Sequence, residues 1–265
     1  MSAATVSGNR SLAGLPSLSG KRIVVTRPQA QAAVLAEKLA ALGAVPVLFP
    51  TIAIVPLDDL GPLEAALGRL GAQAYQWLIF TSANAVSIVC DRLAGGLPAG
   101  VRLAAVGPAT ARVLAARGLD GAVIPEEYVA EALAASLGDL SGQRVLLPQA
   151  EQAREALAAA LRQRGAVVDE IVIYRTVPAA PDAAALAELR RGADAVTFTS
   201  GSAARSFVRL LPGWPAEPGP RPLVACLGPV TADVARQAGQ PVDVVAAEHT
   251  LDGLIAALAE YWGAL

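Results

Sequence analysis

Short apolar runs alternate with longer segments whose apolar positions recur at spacings of three and four, from Gly20 almost to the end of the chain. Arg22 to Thr26 reads as a β-branched strand, Gln29 to Leu42 as an amphipathic helix stopped by Gly43, and Val45 to Phe49 as the next strand. Further strands are expected at Gln76 to Thr81, Val101 to Val106, Ala122 to Ile124, Arg144 to Leu147, Val167 to Tyr174, Asp194 to Thr199, Leu223 to Leu227 and Val242 to Val245, with helices between them. Strands and helices alternating in this way form parallel sheets covered on both faces, so the expected class is α/β.

One stretch organises the rest. Trp77-Leu78-Ile79-Phe80 is an apolar run that ends abruptly in Thr81 and Ser82 and then turns helical from Ala83, which places the two hydroxyls at the carboxyl end of a buried strand. Ligands of open α/β sheets bind at that edge. The device recurs about 120 residues later as Phe198-Thr199-Ser200-Gly201, and the recurrence extends along the chain. Gly20-Lys21-Arg22-Ile23-Val24-Val25 matches Gly142-Gln143-Arg144-Val145-Leu146-Leu147, and Val106-Gly107-Pro108-Ala109-Thr110-Ala111 matches Leu227-Gly228-Pro229-Val230-Thr231-Ala232. The chain is therefore read as a duplicated five-stranded unit. Two arrangements satisfy such a duplication: consecutive domains, or domains that exchange their first two strands. The uncharged, proline-punctuated segments Pro50 to Pro56 and Val172 to Pro178 stand at equivalent places and suit extended connections between domains, which favours exchange.

Composition narrows the function. Apolar residues make up 54% and charged residues 17% of 265 positions, enough for two ordinary cores and too apolar for bulk disorder. A net charge of −2 without an aromatic-interleaved basic run gives no case for nucleic acid. One His and two separated Cys, Cys90 and Cys226, build neither a Cys/His metal site nor a disulfide framework, so a reduced, cytoplasmic protein without metal is expected. Residues 39–57 carry no charge and reach the length of a membrane span, but Gly43, Pro46, Pro50 and Pro56 would break a helix in lipid, and no membrane association is expected. Residues 1–19 lack the apolar core of a signal peptide and are read as a disordered extension.

The candidate chemistry lies at the strand ends. Gly107-Pro108 and Gly228-Pro229 each close a strand and open a helix. Pro suits the first helical position structurally, and the same geometry offers free N–H groups to a carboxylate or phosphate. Thr110 and Thr231 follow on the first turns, with Ser82 and Ser200 at the ends of neighbouring strands, as two anion-friendly lips of one cleft. Arg27 and Arg154 stand near the ends of equivalent strands and suit a carboxylate, although surface ion pairs explain them equally. Tyr174 ends a strand. It is either an interface aromatic with a polar handle or a phenol able to protonate a leaving hydroxyl. No dinucleotide fingerprint and no phosphate loop is present, which disfavours a nucleotide-dependent oxidoreductase, and His249, beside the expected N-cap Thr250, is read as a surface residue.

Thr26-Arg27-Pro28, Phe80-Thr81-Ser82-Ala83-Asn84-Ala85-Val86, Val106 to Ala111, Val172-Ile173-Tyr174-Arg175-Thr176-Val177, Phe198-Thr199-Ser200 and Gly228 to Ala232 together resemble the uroporphyrinogen-III synthase family over residues 20 to 260. The resemblance implies two flavodoxin-like, doubly wound parallel-sheet domains with exchanged first strands: residues 20–52 with 179–265, residues 57–174, and linker strands at 53–56 and 175–178. It implies cyclisation of hydroxymethylbilane, a linear tetrapyrrole, to uroporphyrinogen III with loss of water and inversion of the last ring, by a cytoplasmic monomer without cofactor, with hydroxymethylbilane synthase as a partner. Tyr174 would be the acid, and Arg27, Ser82, Thr110, Arg154, Ser200 and Thr231 would hold substrate. A departure falls at Pro148-Gln149-Ala150, where many members carry a glycine before the arginine matching Arg154, so the contacts of that loop do not carry over. The rival reading from the residues alone is a non-catalytic, two-lobed binding module for an anionic small molecule.

Overall fold

The apolar runs form strands buried on both faces, as parallel sheets require: Trp77–Phe80 and Ala195–Phe198 are buried at every position. The computed structural model describes residues 14–93, 95–214 and 220–264. In chain order these form β1 (Arg22–Val25), α1 (Gln29–Ala41), β2 (Val45–Leu48), β3 (Ile52–Pro56), α2 (Gly61–Gly71), β4 (Trp77–Phe80), α3 (Ala83–Cys90), β5 (Arg102–Ala105), α4 (Pro108–Ala116) and α5 (Ala130–Ser136). There follow β6 (Arg144–Ala150), α6 (Ala156–Gln163), β7 (Val167–Pro178), α7 (Ala183–Arg190), β8 (Ala195–Phe198), α8 (Gly201–Leu210), β9 (Leu223–Cys226), α9 (Pro229–Gln237), β10 (Val244–Val245) and α10 (Leu251–Gly263).

The chain divides into two compact units, Met1–Ala53 with Val177–Leu265, and Ile54–Thr176. In the first, the strand order is β10-β9-β8-β1-β2 and every pairing is parallel, so the amino-terminal strands β1 and β2 complete the sheet of the carboxyl-terminal segment. The fold is thus α/β with exchanged first strands, each sheet following the flavodoxin winding. Buried threonines tie β1 to β8: Thr26 Oγ1 donates to the Thr197 carbonyl and Thr197 Oγ1 to the Val24 carbonyl, both at 2.7 Å. On one face of this sheet Phe207 meets the rings of Phe49, Phe198 and Trp214 edge-on, with centroids 5.2 to 6.0 Å apart, each pair worth about 0.5–1.5 kcal/mol beyond its buried area.

In the second unit the order is β3-β7-β6-β4-β5. The expected strand Ala122 to Ile124 is reduced to a single bridge, Ala104 to Val123, because two glycine-rich turns at Gly118 and Gly121, both with positive φ, leave too little straight chain on its amino side. Two strands run longer than expected. β6 continues through Pro148-Gln149-Ala150 instead of ending at Leu147, and β7 runs unbroken from Val167 to Pro178. Pro148 is tolerated because the pairing of β6 with β4 stops at Leu146. The expected extension 1–19 lies outside the described residues over 1–13. Over 14–19 the chain is seated, since Leu18 is fully buried and its N–H donates to the Leu42 carbonyl at 2.9 Å. An apolar side chain next to a helix end gains more from burial than a short tail gains in entropy.

Candidate functional site

In the second unit three parallel strands deliver the chemistry to one edge. β4 is a continuous apolar run and stops where Thr81 and Ser82 begin; Ser82 is extended and its Oγ accepts the Ala85 N–H at 3.1 Å, capping α3. β6 and β7 keep a regular register from Arg144 opposite Val167 to Gln149 opposite Val172, and then slip by one residue so that Ala150 faces Tyr174. The slip is a bulge, a device that re-aims a side chain. It leaves Ile173 fully buried in the core and Tyr174 only 5% exposed, with the phenol oxygen 2.9 Å from Ser82 Oγ. Either oxygen of that pair can donate.

Ser82, Tyr174 and Arg154 line one hollow of about 420 Å³ together with Thr81, Gln149 and Tyr128. Arg154 is exposed and stands just ahead of α6. Thr110, on the first turn of α4, is buried and is not among the residues lining this hollow. The Gly107-Pro108 turn opens α4 as expected, with Gly107 as N-cap and Tyr128 lying over it, the nearest ring atom 3.7 Å from where a Cβ would stand. The hollow presents a donor-only guanidinium (Arg154), a carboxylate (Glu131), hydroxyls that donate or accept (Thr81, Ser82, Tyr174) and two aromatic rings. Among the described residues no group of three His, Cys, Asp or Glu is placed to hold a metal ion, and no helix is long and apolar enough to cross a membrane.

A family model described as uroporphyrinogen-III synthase HemD matches residues 33–256. The chain belongs to the uroporphyrinogen-III synthase family. The family match takes in every strand of the second unit and the site edge of both units apart from Arg27. The chain is 35% identical over 260 residues to a uroporphyrinogen-III synthase of Synechococcus elongatus, covering 92% of this chain and 96% of that one. It is 30% identical to a putative uroporphyrinogen-III synthase of Methanothermobacter thermautotrophicus, covering 91% and 98%. In fold, it is similar to the crystal structure of uroporphyrinogen-III synthetase from Helicobacter pylori, with a TM-score of 0.60 at 16% identity over 93% of this chain and 100% of that one.

In the first unit the corresponding residues follow three adjacent strands, β1, β8 and β9. Ser200 caps α8 by accepting the Ala203 N–H at 3.2 Å and lies 3.0 Å from Ser202 Oγ. Thr231 sits on the first turn of α9, after Gly228 as N-cap, and is buried. Arg27 is the most constrained of the three. One guanidinium N–H donates to Gln31 at 2.9 Å, while Nε is buried without a partner among the described residues, and burial holds the group below the usual arginine pKa. An unpaired buried N–H is costly, which marks Arg27 as a group that gains from an anion. His249, read as a surface residue, is exposed, with its ring against Gly228 at the place where Tyr128 lies over Gly107 in the other unit. A hollow of about 590 Å³ in this unit, beside β2 and α7, contains none of the expected site residues.

Two site residues escaped the sequence reading. Gln149, expected in a loop after a shorter β6, lies on that strand, and Tyr128 stands just ahead of α5, which begins at Ala130. The one available signal for Tyr128 was its position in the repeat, equivalent to His249.

Proposed function

We propose that the chain cyclises hydroxymethylbilane to uroporphyrinogen III, inverting the last ring and releasing water. The observation that carries this reading is the Tyr174–Ser82 hydroxyl pair, held at 2.9 Å by the β6–β7 bulge in a hollow that also contains Arg154, in a chain of this family. The phenol of Tyr174 protonates the departing hydroxyl, the C–O bond breaks and water leaves, giving an azafulvenium cation beside the phenolate. The substituted carbon of the far ring attacks the methylene, and the spiro intermediate opens and recloses; the proton that the ring loses on regaining aromaticity restores the acid. Ser82, fixed by its cap bond to Ala85, keeps the phenol aimed.

A protein of net charge −2 has to hold a polyanion by local donors. Arg154 and the start of α4 with Thr110 serve in one unit, and Arg27, Ser200 and the start of α9 with Thr231 serve in the other. Much of the acceleration comes from folding the linear substrate so that its ends meet. The substrate closes spontaneously to the type I isomer, so direct supply from hydroxymethylbilane synthase to a cytoplasmic monomer completes the reading. Incubation with freshly made hydroxymethylbilane and separation of the isomers is the test. Type III product supports the enzyme, and type I alone returns the chain to the rival class of a binding module.

A further inference from the structure

The bulge that positions Tyr174 also positions Gln149, the last residue of β6 before the register slips. Gln149 Nε2 donates to Glu170 Oε2 at 2.9 Å, and Glu170 Oε1 accepts from Arg162 at 2.6 Å, so an amide, a carboxylate and a guanidinium run in series from the hollow through β7 to α6. A carboxylate can only accept. The amide must therefore turn its nitrogen to Glu170, which settles its orientation chemically and leaves Oε1 as the other end. Among the described residues Oε1 has no hydrogen-bond partner, and Gln149 lines the hollow with Ser82, Arg154 and Tyr174.

A linear tetrapyrrole presents two kinds of polar group. Its carboxylates need donors, and Arg154 and the hydroxyls supply them. Its pyrrole N–H groups need acceptors, and for these the hollow offers less. Glu131 carries a charge that repels the carboxylates, the Thr81 hydroxyl rotates, and the Ser82 hydroxyl is already engaged with Ala85 and Tyr174. Gln149 Oε1 is neutral and held by Glu170. We infer that Gln149 is a substrate-positioning residue whose side-chain carbonyl accepts a pyrrole N–H and fixes the plane of that ring beside Tyr174, with the Glu170–Arg162 pair as its brace. This rests on the proposed activity. The competing role for Gln149 is purely structural, a bolt between β6 and β7.

Gln149→Met keeps length and removes the acceptor while leaving Glu170 paired to Arg162. With fresh hydroxymethylbilane it is expected to raise KM about two- to tenfold, the value of one lost hydrogen bond, with kcat within about twofold and a larger share of type I product. Gln149→Asn, which keeps an amide but withdraws it by one methylene, moves KM in the same direction and serves if the methionine variant does not fold. Glu170→Ala, which frees the amide without deleting it, gives a smaller rise. A KM and isomer ratio unchanged in both Gln149 variants, with the unaltered protein producing type III, overturns the inference alone. An unaltered protein that yields only type I overturns the proposed activity first.

Discussion

Replacing Tyr174 by phenylalanine removes one oxygen and leaves a ring that is 5% exposed, packed in the core with Leu146 and Ile173. The apolar burial is retained, so the fold loses only the 2.9 Å bond to Ser82, and Ser82 Oγ still accepts from Ala85. The cost is that of one hydrogen bond, about 0.5–1.5 kcal/mol, which lowers the melting temperature by roughly 2–4 °C per kcal/mol. The cost in rate is of another order. A positioned acid contributes about 10²- to 10⁴-fold, and Tyr174→Phe is expected near the lower figure because a tetrapyrrole that closes unaided retains a path without the acid. Turnover should therefore fall about a hundredfold while KM changes less than about threefold. The assay is initial rate of type III formation against substrate concentration, with thermal unfolding of the same preparation. Ser82→Ala is the control, losing about 1 kcal/mol of cap while keeping the phenol, and its turnover should fall less. A Tyr174→Phe protein with normal turnover would refute the reasoning and remove Tyr174 from the reaction.

Other outcomes follow from the packing and the charges. A Cβ at Gly201 would stand 2.8 Å from Cβ and Cγ1 of Val234, so Gly201→Ala should destabilise the α8–α9 pair by about 1–3 kcal/mol, and adding Val234→Ala should recover most of it; an unchanged melting temperature for the single variant contradicts the contact. Asp243 accepts from Arg221 at 2.5 and 2.7 Å and from the Val224 N–H at 2.8 Å, bonds that hold its carboxyl below the ordinary 3.8. Its stabilisation is present above that value and lost as pH falls through the lowered one, so the stability deficit of Asp243→Asn should be full at neutral pH and close as the pH is taken below the ordinary carboxylate range, and a deficit independent of pH counts against the assignment. Burial pushes the Cys226 thiol up to about 12, and the side chain has no exposed surface. A thiol reagent at pH 8 should leave Cys226 unmodified until denaturant is added; rapid labelling of the native protein would show that the site opens.

The alternation of apolar runs and helical segments was enough to place nearly every strand and to reveal the duplication, because each strand and helix carries its own period and each cap its own hydroxyl. Ser82, Ser200 and Thr250 cap the helices that follow them, as local chemistry requires. The missed elements failed for physical reasons that a single strand does not contain. Pro148 argues against a strand unless one knows that β4 has already stopped pairing, and Ala122 to Ile124 looks like a strand until the positive-φ glycines ahead of it leave it one bridge.

The amino-acid order by itself determined the α/β class, the repeat, the cap at Thr250 and which hydroxyls follow the strands, but not that the strand of Tyr174 runs on to Pro178. Only the tertiary structure decided which of them meet. Tyr174 and Ser82 lie 92 positions apart, and their contact depends on a one-residue slip between β6 and β7 that turns Tyr174 into register with Ala150. Gln149 lines the same hollow, and Thr110 does not. Register between distant strands is set by the joint packing of both sheet faces, a property that no local period records.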